Sequence, residues 1–160
     1  MSEAGEFVDY TLQMESTWEK AAETSERLGQ GLKVYGASVG AIRGTVRDAL
    51  KRYKNLSHDD ITALSSELWE EPVFERRLAA VVLLQTKVAL LVNTDLTRIE
   101  GFIRSARTRE LVEPLAKDVA RPLLARLEGL AKERAARVLE RWANDPDSEL
   151  QYAASLAAAP

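Results

Sequence analysis

Apolar residues recur along most of the chain at helical spacing, and no stretch alternates apolar and polar positions with period two. Residues 16–34 carry Trp18, Ala21, Ala22, Leu28 and Leu32 behind a cap candidate at Ser16, and Gly36-Ala37-Ser38 breaks the pattern. Val39, Ile42, Val46, Ala49, Leu50 and Tyr53 mark a second helix over 39–53. Ser57-His58-Asp59-Asp60 reads as a helix start, with an acid three residues after the serine, and opens onto Ile61, Leu64, Leu68 and Trp69. Pro72 is placed in the first turn of the most apolar helix, 73–91. Thr94-Asp95 starts the next, with Leu96, Ile99, Phe102 and Ile103. Residues 109–119 and 122–128 follow, split at Pro122. Residues 130–143 and a last segment from Ser148 complete the set, and residues 1–14 are expected to be loosely ordered.

This pattern predicts an all-α fold of about eight or nine helices on short connections, either an orthogonal bundle or a stack of helical hairpins. Trp69, Phe102 and Trp142 fall near helix ends at the spacing of a HEAT-like repeat, which favours the stack as one domain over 1–160. Trp18, Trp69 and Trp142 are all expected in the core. Composition agrees: 46% of residues are hydrophobic, 29% charged and only 6% aromatic, with Leu, Ala, Arg and Glu prominent. The absence of cysteine excludes disulfides and thiolate metal sites and fits a reducing cytoplasm. No metal or cofactor is expected, and no apolar run is long enough to span a bilayer.

Charge adds a pattern that the net value of −3 conceals. Residues 1–26 hold seven acids and one base, and 27–54 hold seven bases and one acid. Residues 55–97 turn acidic again, 98–141 hold eleven bases against seven acids, and no Lys or Arg follows. Arg43, Arg47, Lys51 and Lys54 recur at helical spacing and form one basic stripe, a candidate for phosphate contact. Arg104, Arg107 and Arg109 gather at a helix end and the turn after it, where cations either complement the helix dipole or reach phosphate. Arg76 and Arg77 are expected to pair with Glu70, Glu71 or Glu75. The two basic blocks either meet in a single curved trough or are solvated helix faces.

Three stretches go further. They are Tyr35-Gly36-Ala37-Ser38-Val39-Gly40-Ala41-Ile42-Arg43, Glu67-Leu68-Trp69-Glu70-Glu71-Pro72-Val73-Phe74-Glu75-Arg76-Arg77-Leu78-Ala79-Ala80, and Arg141-Trp142 followed by Glu149-Leu150-Gln151-Tyr152-Ala153-Ala154. Their order and spacing resemble the DNA alkylation repair enzyme family, HEAT-like-repeat DNA glycosylases that remove alkylated purines. The resemblance runs from about Trp18 to Leu156, with Gly40 where the family commonly has proline. It implies a concave basic groove that holds duplex DNA by its backbone, and a carboxylate beside the sugar from which a cationic base departs.

The resemblance maps the family's Trp-x-x-x-Asp onto Arg109-Glu110-Leu111-Val112-Glu113, so that Glu113 stands at the acid and Arg109 at the tryptophan. It maps the family's Trp-Leu-x-Arg-Ala-Ala onto Glu149-Leu150-Gln151-Tyr152-Ala153-Ala154, so that Tyr152 stands at the arginine. Asp to Glu moves the carboxylate by a methylene, and Arg to Tyr removes a phosphate clamp. The expectation is duplex-DNA binding with glycosylase activity weakened or lost. Glu113 is the residual carboxylate, or else a first-turn acid paired to Arg109. Arg109 and Tyr152 face the lesion, and Arg43, Arg47 and Lys51 hold phosphate. The rival expectation is a non-enzymatic helical scaffold for a protein partner. The resemblance also implies that further helices of the family are missing, so that residues 148–160 cap the stack or make a homodimer contact.

Overall fold

The structure is a computed structural model that describes residues 1–159. It is all-helical and falls into two compact units, Met1–Thr86 and the chain from Lys87 onward. Among the described residues there are nine helices, with the interrupted helix of the second unit counted as one.

The first unit holds α1 (Glu3–Met14), α2 (Trp18–Leu28), α3 (Val39–Arg52), α4 (His58–Glu70) and α5 (Phe74–Thr86). Their starts follow from local capping chemistry. Ser2, Thr17, Ser38 and Ser57 each accept from a backbone N–H of the first turn, and Ser57 and Asp60 close a reciprocal capping box. Thus α2 is capped by Thr17 rather than Ser16 and ends at Leu28, six residues short of the expected span. Of residues 1–14, expected to be loosely ordered, Glu3–Met14 form α1, which buries Val8 and Leu12 and packs against α3, α4 and α5.

Helix α5 is central: every residue from Phe74 to Leu84 is buried, so the helix is covered on all sides. It packs against α4, which buries Leu64 and Leu68, and against α3, which buries Ile42 and Val46. The expected helix to residue 91 stops at Thr86, and Pro72 precedes α5 rather than opening it. There the Pro72 carbonyl accepts from Lys33 N–H at 2.8 Å and Phe74 N–H donates to the Lys33 carbonyl at 2.9 Å, an isolated parallel bridge.

The first turn of α5 explains much of the second sequence stretch. Glu75, Arg76 and Arg77 are only 0, 6 and 4% exposed. The Glu75 carboxylate accepts from the N–H groups of Tyr35 (2.8 Å) and Gly36 (3.0 Å). Arg76 donates to the carbonyls of Glu67 and Leu68, and Arg77 to that of Trp69 while its guanidinium lies 4.9 Å over the Trp69 ring. These are last-turn carbonyls of α4, which the helix itself cannot satisfy. The two arginines therefore close the end of α4, and Arg76 also pairs with Asp9 at 3.4 Å rather than with the expected Glu70, Glu71 or Glu75. Trp69 is buried as expected, but Trp18 is 78% exposed, because α2 buries only Thr24.

The second unit begins with 3₁₀ turns at Val88–Leu90 and Asn93–Asp95, then α6 (Leu96–Ser105). Helix α7 runs through Arg109–Pro114, a π-helical segment Leu115–Ala120 and Arg121–Arg126. The expected split at Pro122 is thus a widened turn inside one helix. Pro122 offers no N–H, and the preceding ladder shifts so that Arg121 N–H donates to Ala116, five residues back. Helices α8 (Gly129–Ala143) and α9 (Ser148–Ala157) form the last pair. Helix α9 buries Leu150, Ala153, Ala154 and Ala157 against α6, α7 and α8. Trp142 is 1% exposed, and its indole N–H donates to Glu100 at 2.8 Å.

Candidate nucleic-acid interface

In the first unit, α3 turns Ile42, Val46 and Ala49 inward, and its i, i+4 geometry therefore places Arg43, Arg47 and Lys51 together on the solvent side, all exposed. Among the described residues, the one ion pair on this stripe is a 3.9 Å contact from Arg47 to the neighbouring Asp48. Arg52 leaves the row and lies over the rings of Phe7 and Tyr53, at 5.2 and 5.8 Å.

In the second unit, Thr108 caps α7 by accepting from Glu110 N–H at 3.2 Å, which puts Arg109 in the first turn and Glu113 one turn later on the same face. Asp147 caps α9 by accepting from Glu149 N–H at 2.8 Å, which sets Glu149 in the first turn and Tyr152 three residues on. The packing of α9 against α7 brings these four side chains together. Arg109 Nη2 lies 3.1 Å from Glu149 Oε2, and Nε donates to both carboxylate oxygens at 3.2 and 3.3 Å. Its guanidinium stacks 4.1 Å over the Tyr152 ring, and the Tyr152 hydroxyl donates to Glu113 Oε1 at 2.6 Å.

The electrostatics follow the contacts. The Tyr152 phenol is pushed up, first by its hydrogen bond to Glu113, then by desolvation and the Glu113 charge, with Arg109 acting the other way. The Arg109 guanidinium is held more firmly protonated, chiefly by its hydrogen bond to Glu149. Sequence reasoning offered Arg109 as a partner for Glu113 at i, i+4. Instead the hydrogen bonds of Arg109 go to Glu149, and Glu113 accepts from Tyr152.

Arg104, near the end of α6, is tied to the loop that leads into α9. It reaches Asp145 at 2.7 Å, Glu100 at 3.3 Å and Asp147 at 3.7 Å. These contacts raise its affinity for the proton, and the guanidinium in turn holds the Asp145 carboxyl below its usual range. Arg107 lies in the turn between α6 and α7, exposed, with φ at 66°. Sequence reasoning missed Asp145, and it placed Glu149 at a family tryptophan without seeing either acid as a partner for an arginine. Their signal was available: the acids Asp145, Asp147 and Glu149 follow immediately after the last basic residue of the chain.

Residues 8–159 match the family described as DNA alkylation repair enzyme. The chain belongs to the DNA alkylation repair enzyme family. No curated protein matches it. For a member of this family, the four positions singled out by the sequence motifs (Arg109, Glu113, Glu149 and Tyr152) lie in one cluster on two helices of one unit. Among the described residues there is no group of three or more His, Asp or Glu that could hold a metal ion, and no helix long and apolar enough to cross a membrane.

Proposed function

We propose that this member of the DNA alkylation repair family binds duplex DNA through its phosphate backbone and excises alkylated purines weakly at most. The observation that carries the reading is the 2.6 Å hydrogen bond from Tyr152 to Glu113, beside an Arg109 already held by Glu149. In the reaction implied for the family, the C1′–N bond breaks and its electron pair goes to a base that is already cationic, so the base leaves neutral. Water then bonds to C1′ and gives up a proton. A carboxylate assists by opposing the positive charge that grows on the sugar. Glu113 has the right charge for this role. Its Oε1 accepts from a phenol, which draws charge away from the position where the sugar would need it, and the tyrosine supplies no permanent cation for a phosphate.

Release of N7-methylguanine and N3-methyladenine from alkylated duplex DNA tests the proposal, with the native protein compared to Glu113→Gln. The expected result is slow release that falls at least about tenfold in the variant, in keeping with the loss of one electrostatic contribution. Release equal in both proteins would remove Glu113 from the chemistry. Fast release by the native protein would contradict the weakened site.

A second reading, a scaffold for a protein partner, is favoured by one observation in the first unit. Tyr10, Met14 and Trp18 are all well exposed, at successive four-residue intervals through the end of α1 and the start of α2. Indifference to DNA together with a stable protein complex would select it.

A further inference from the structure

The acids that hold Arg104 and Arg109 come from one short segment. Asp145 takes Arg104 at 2.7 Å, with Asp147 at 3.7 Å, and Glu149 takes Arg109 with two nitrogens engaged. Side chains of both arginines remain partly exposed, 42 and 55%, so phosphate can reach them only in competition with carboxylates already in place. The carboxylates present to each guanidinium the two-oxygen face that a phosphate would present. The segment is held in position independently of these ion pairs. Asp147 caps α9, Asp145 accepts from Asp147 N–H at 2.9 Å, and the Asp145 carbonyl accepts from Gln151 at 2.7 Å. The backbone that carries the acids thus stays beside the arginines whether or not the pairs are made.

The geometry points to the segment Asp145–Glu149 as an internal phosphate mimic that competes with DNA for Arg104 and Arg109 and so restrains binding by the second unit. This rests on the DNA-binding reading above and adds regulation of the same surface. Partly exposed ion pairs are individually weak, so the restraint is a graded one that DNA can displace. The exposed stripe on α3, whose one ion pair among the described residues is the long Arg47 contact, carries no such restraint.

The test is equilibrium binding of a fluorescein-labelled, unmodified duplex across a salt series, by anisotropy. It compares the native protein with Asp145→Asn/Glu149→Gln, which keeps the side-chain shapes and leaves the Asp147 cap intact. The expected gain in affinity is about twofold to tenfold. The slope of log affinity against log salt should steepen by about 1 to 2, as two more cations become available to phosphate. Adding Arg104→Gln/Arg109→Gln should abolish the gain, and neutralising two exposed acids elsewhere in the same unit, Glu128→Gln/Glu133→Gln, should give a smaller one. Circular dichroism checks folding, and Glu149→Gln alone serves if the double variant is unstable. Native binding that is unchanged or weakened in folded variants overturns the mimic and leaves the DNA reading standing. A gain that survives loss of both arginines, or is matched by the Glu128/Glu133 control, overturns it as a mere effect of net charge. Absence of binding by every protein removes the DNA reading, and the mimic with it.

Discussion

Tyr35 shows how a single side chain can report on the first unit. Its hydroxyl donates to Asp9 on α1 at 2.5 Å, and the phenol is pushed up to about 12, first by desolvation and then by that carboxylate. An unfolded tyrosine titrates near pH 10, so the folded state favours the neutral phenol. That contribution is fully present below about pH 10 and is lost as pH rises from there through about 12. The native protein should therefore lose thermal stability over this window more steeply than Tyr35→Phe. Parallel curves for the two proteins would show that the Asp9 contact does not couple α1 to the loop before α3. The tyrosine itself was legible in the sequence as part of a recognisable turn, but its partner was not, because Asp9 lies 26 residues away in an acid-rich stretch without apolar emphasis. Arg76 and Arg77 show a related limit. Nearby glutamates suggested side-chain pairs, whereas the carbonyls left over at the end of α4 have a stronger need for donors. Helical spacing also made three tryptophans look alike. Whether a face is covered depends on what packs against its helix, and nothing covers Trp18 as α6 and its neighbours cover Trp142.

Among the elements, the contact that joins the first two sequence stretches is a buried carboxylate. Glu75, in the first turn of α5, holds the backbone of Tyr35 and Gly36, and Gly36 itself has φ at 108° with no room for a Cβ beside the Thr17 carbonyl and Ala21. The turn and the Glu-Arg-Arg block are thus tied to each other by buried hydrogen bonds, a structural role for two of the three stretches that carry the resemblance. Glu75→Ala leaves two N–H groups without their acceptor and should cost about 3 kcal/mol or more in chemical denaturation, while Glu75→Gln, which keeps one acceptor oxygen, should cost less. Equal and small losses would mean that water replaces the carboxylate and that the loop is not locked. Helix starts were the best-read features, because a cap such as Ser57 with Asp60 is a local device. Helix ends were read less well. Apolar residues continue from Val88 to Val92 past the end of α5, so periodicity gives no sign of the stop at Thr86. Helix α1 was missed because its buried face is narrow and partly made of Ala4 and Gly5.

For the molecule as a whole, the net charge of −3 gives no long-range attraction to nucleic acid. Any affinity for DNA has to arise from local rows of cations, and the candidate site was legible only to that extent. Resemblance identified Arg109, Glu113, Glu149 and Tyr152 as positions, and helical spacing identified the α3 stripe, but neither could show that Glu149 would take Arg109 or that Tyr152 would reach Glu113. Those pairings depend on the packing of α9 against α7, between residues 39 and 40 positions apart. The stripe differs from that cluster in having almost no competing acid, so it should supply most of the native protein's hold on phosphate. Replacing Arg43, Arg47 and Lys51 together by glutamine removes three exposed cations without touching the buried face of α3. Duplex affinity at low salt should fall by about an order of magnitude or more, and the salt slope should become shallower by about 2 to 3, one step for each phosphate that is no longer neutralised. The same weakening should appear with any duplex sequence, since binding to the phosphate backbone carries no base information. A variant that stays folded and keeps the native slope would place the DNA interface on other residues, and the stripe would then be only a solvated face of α3.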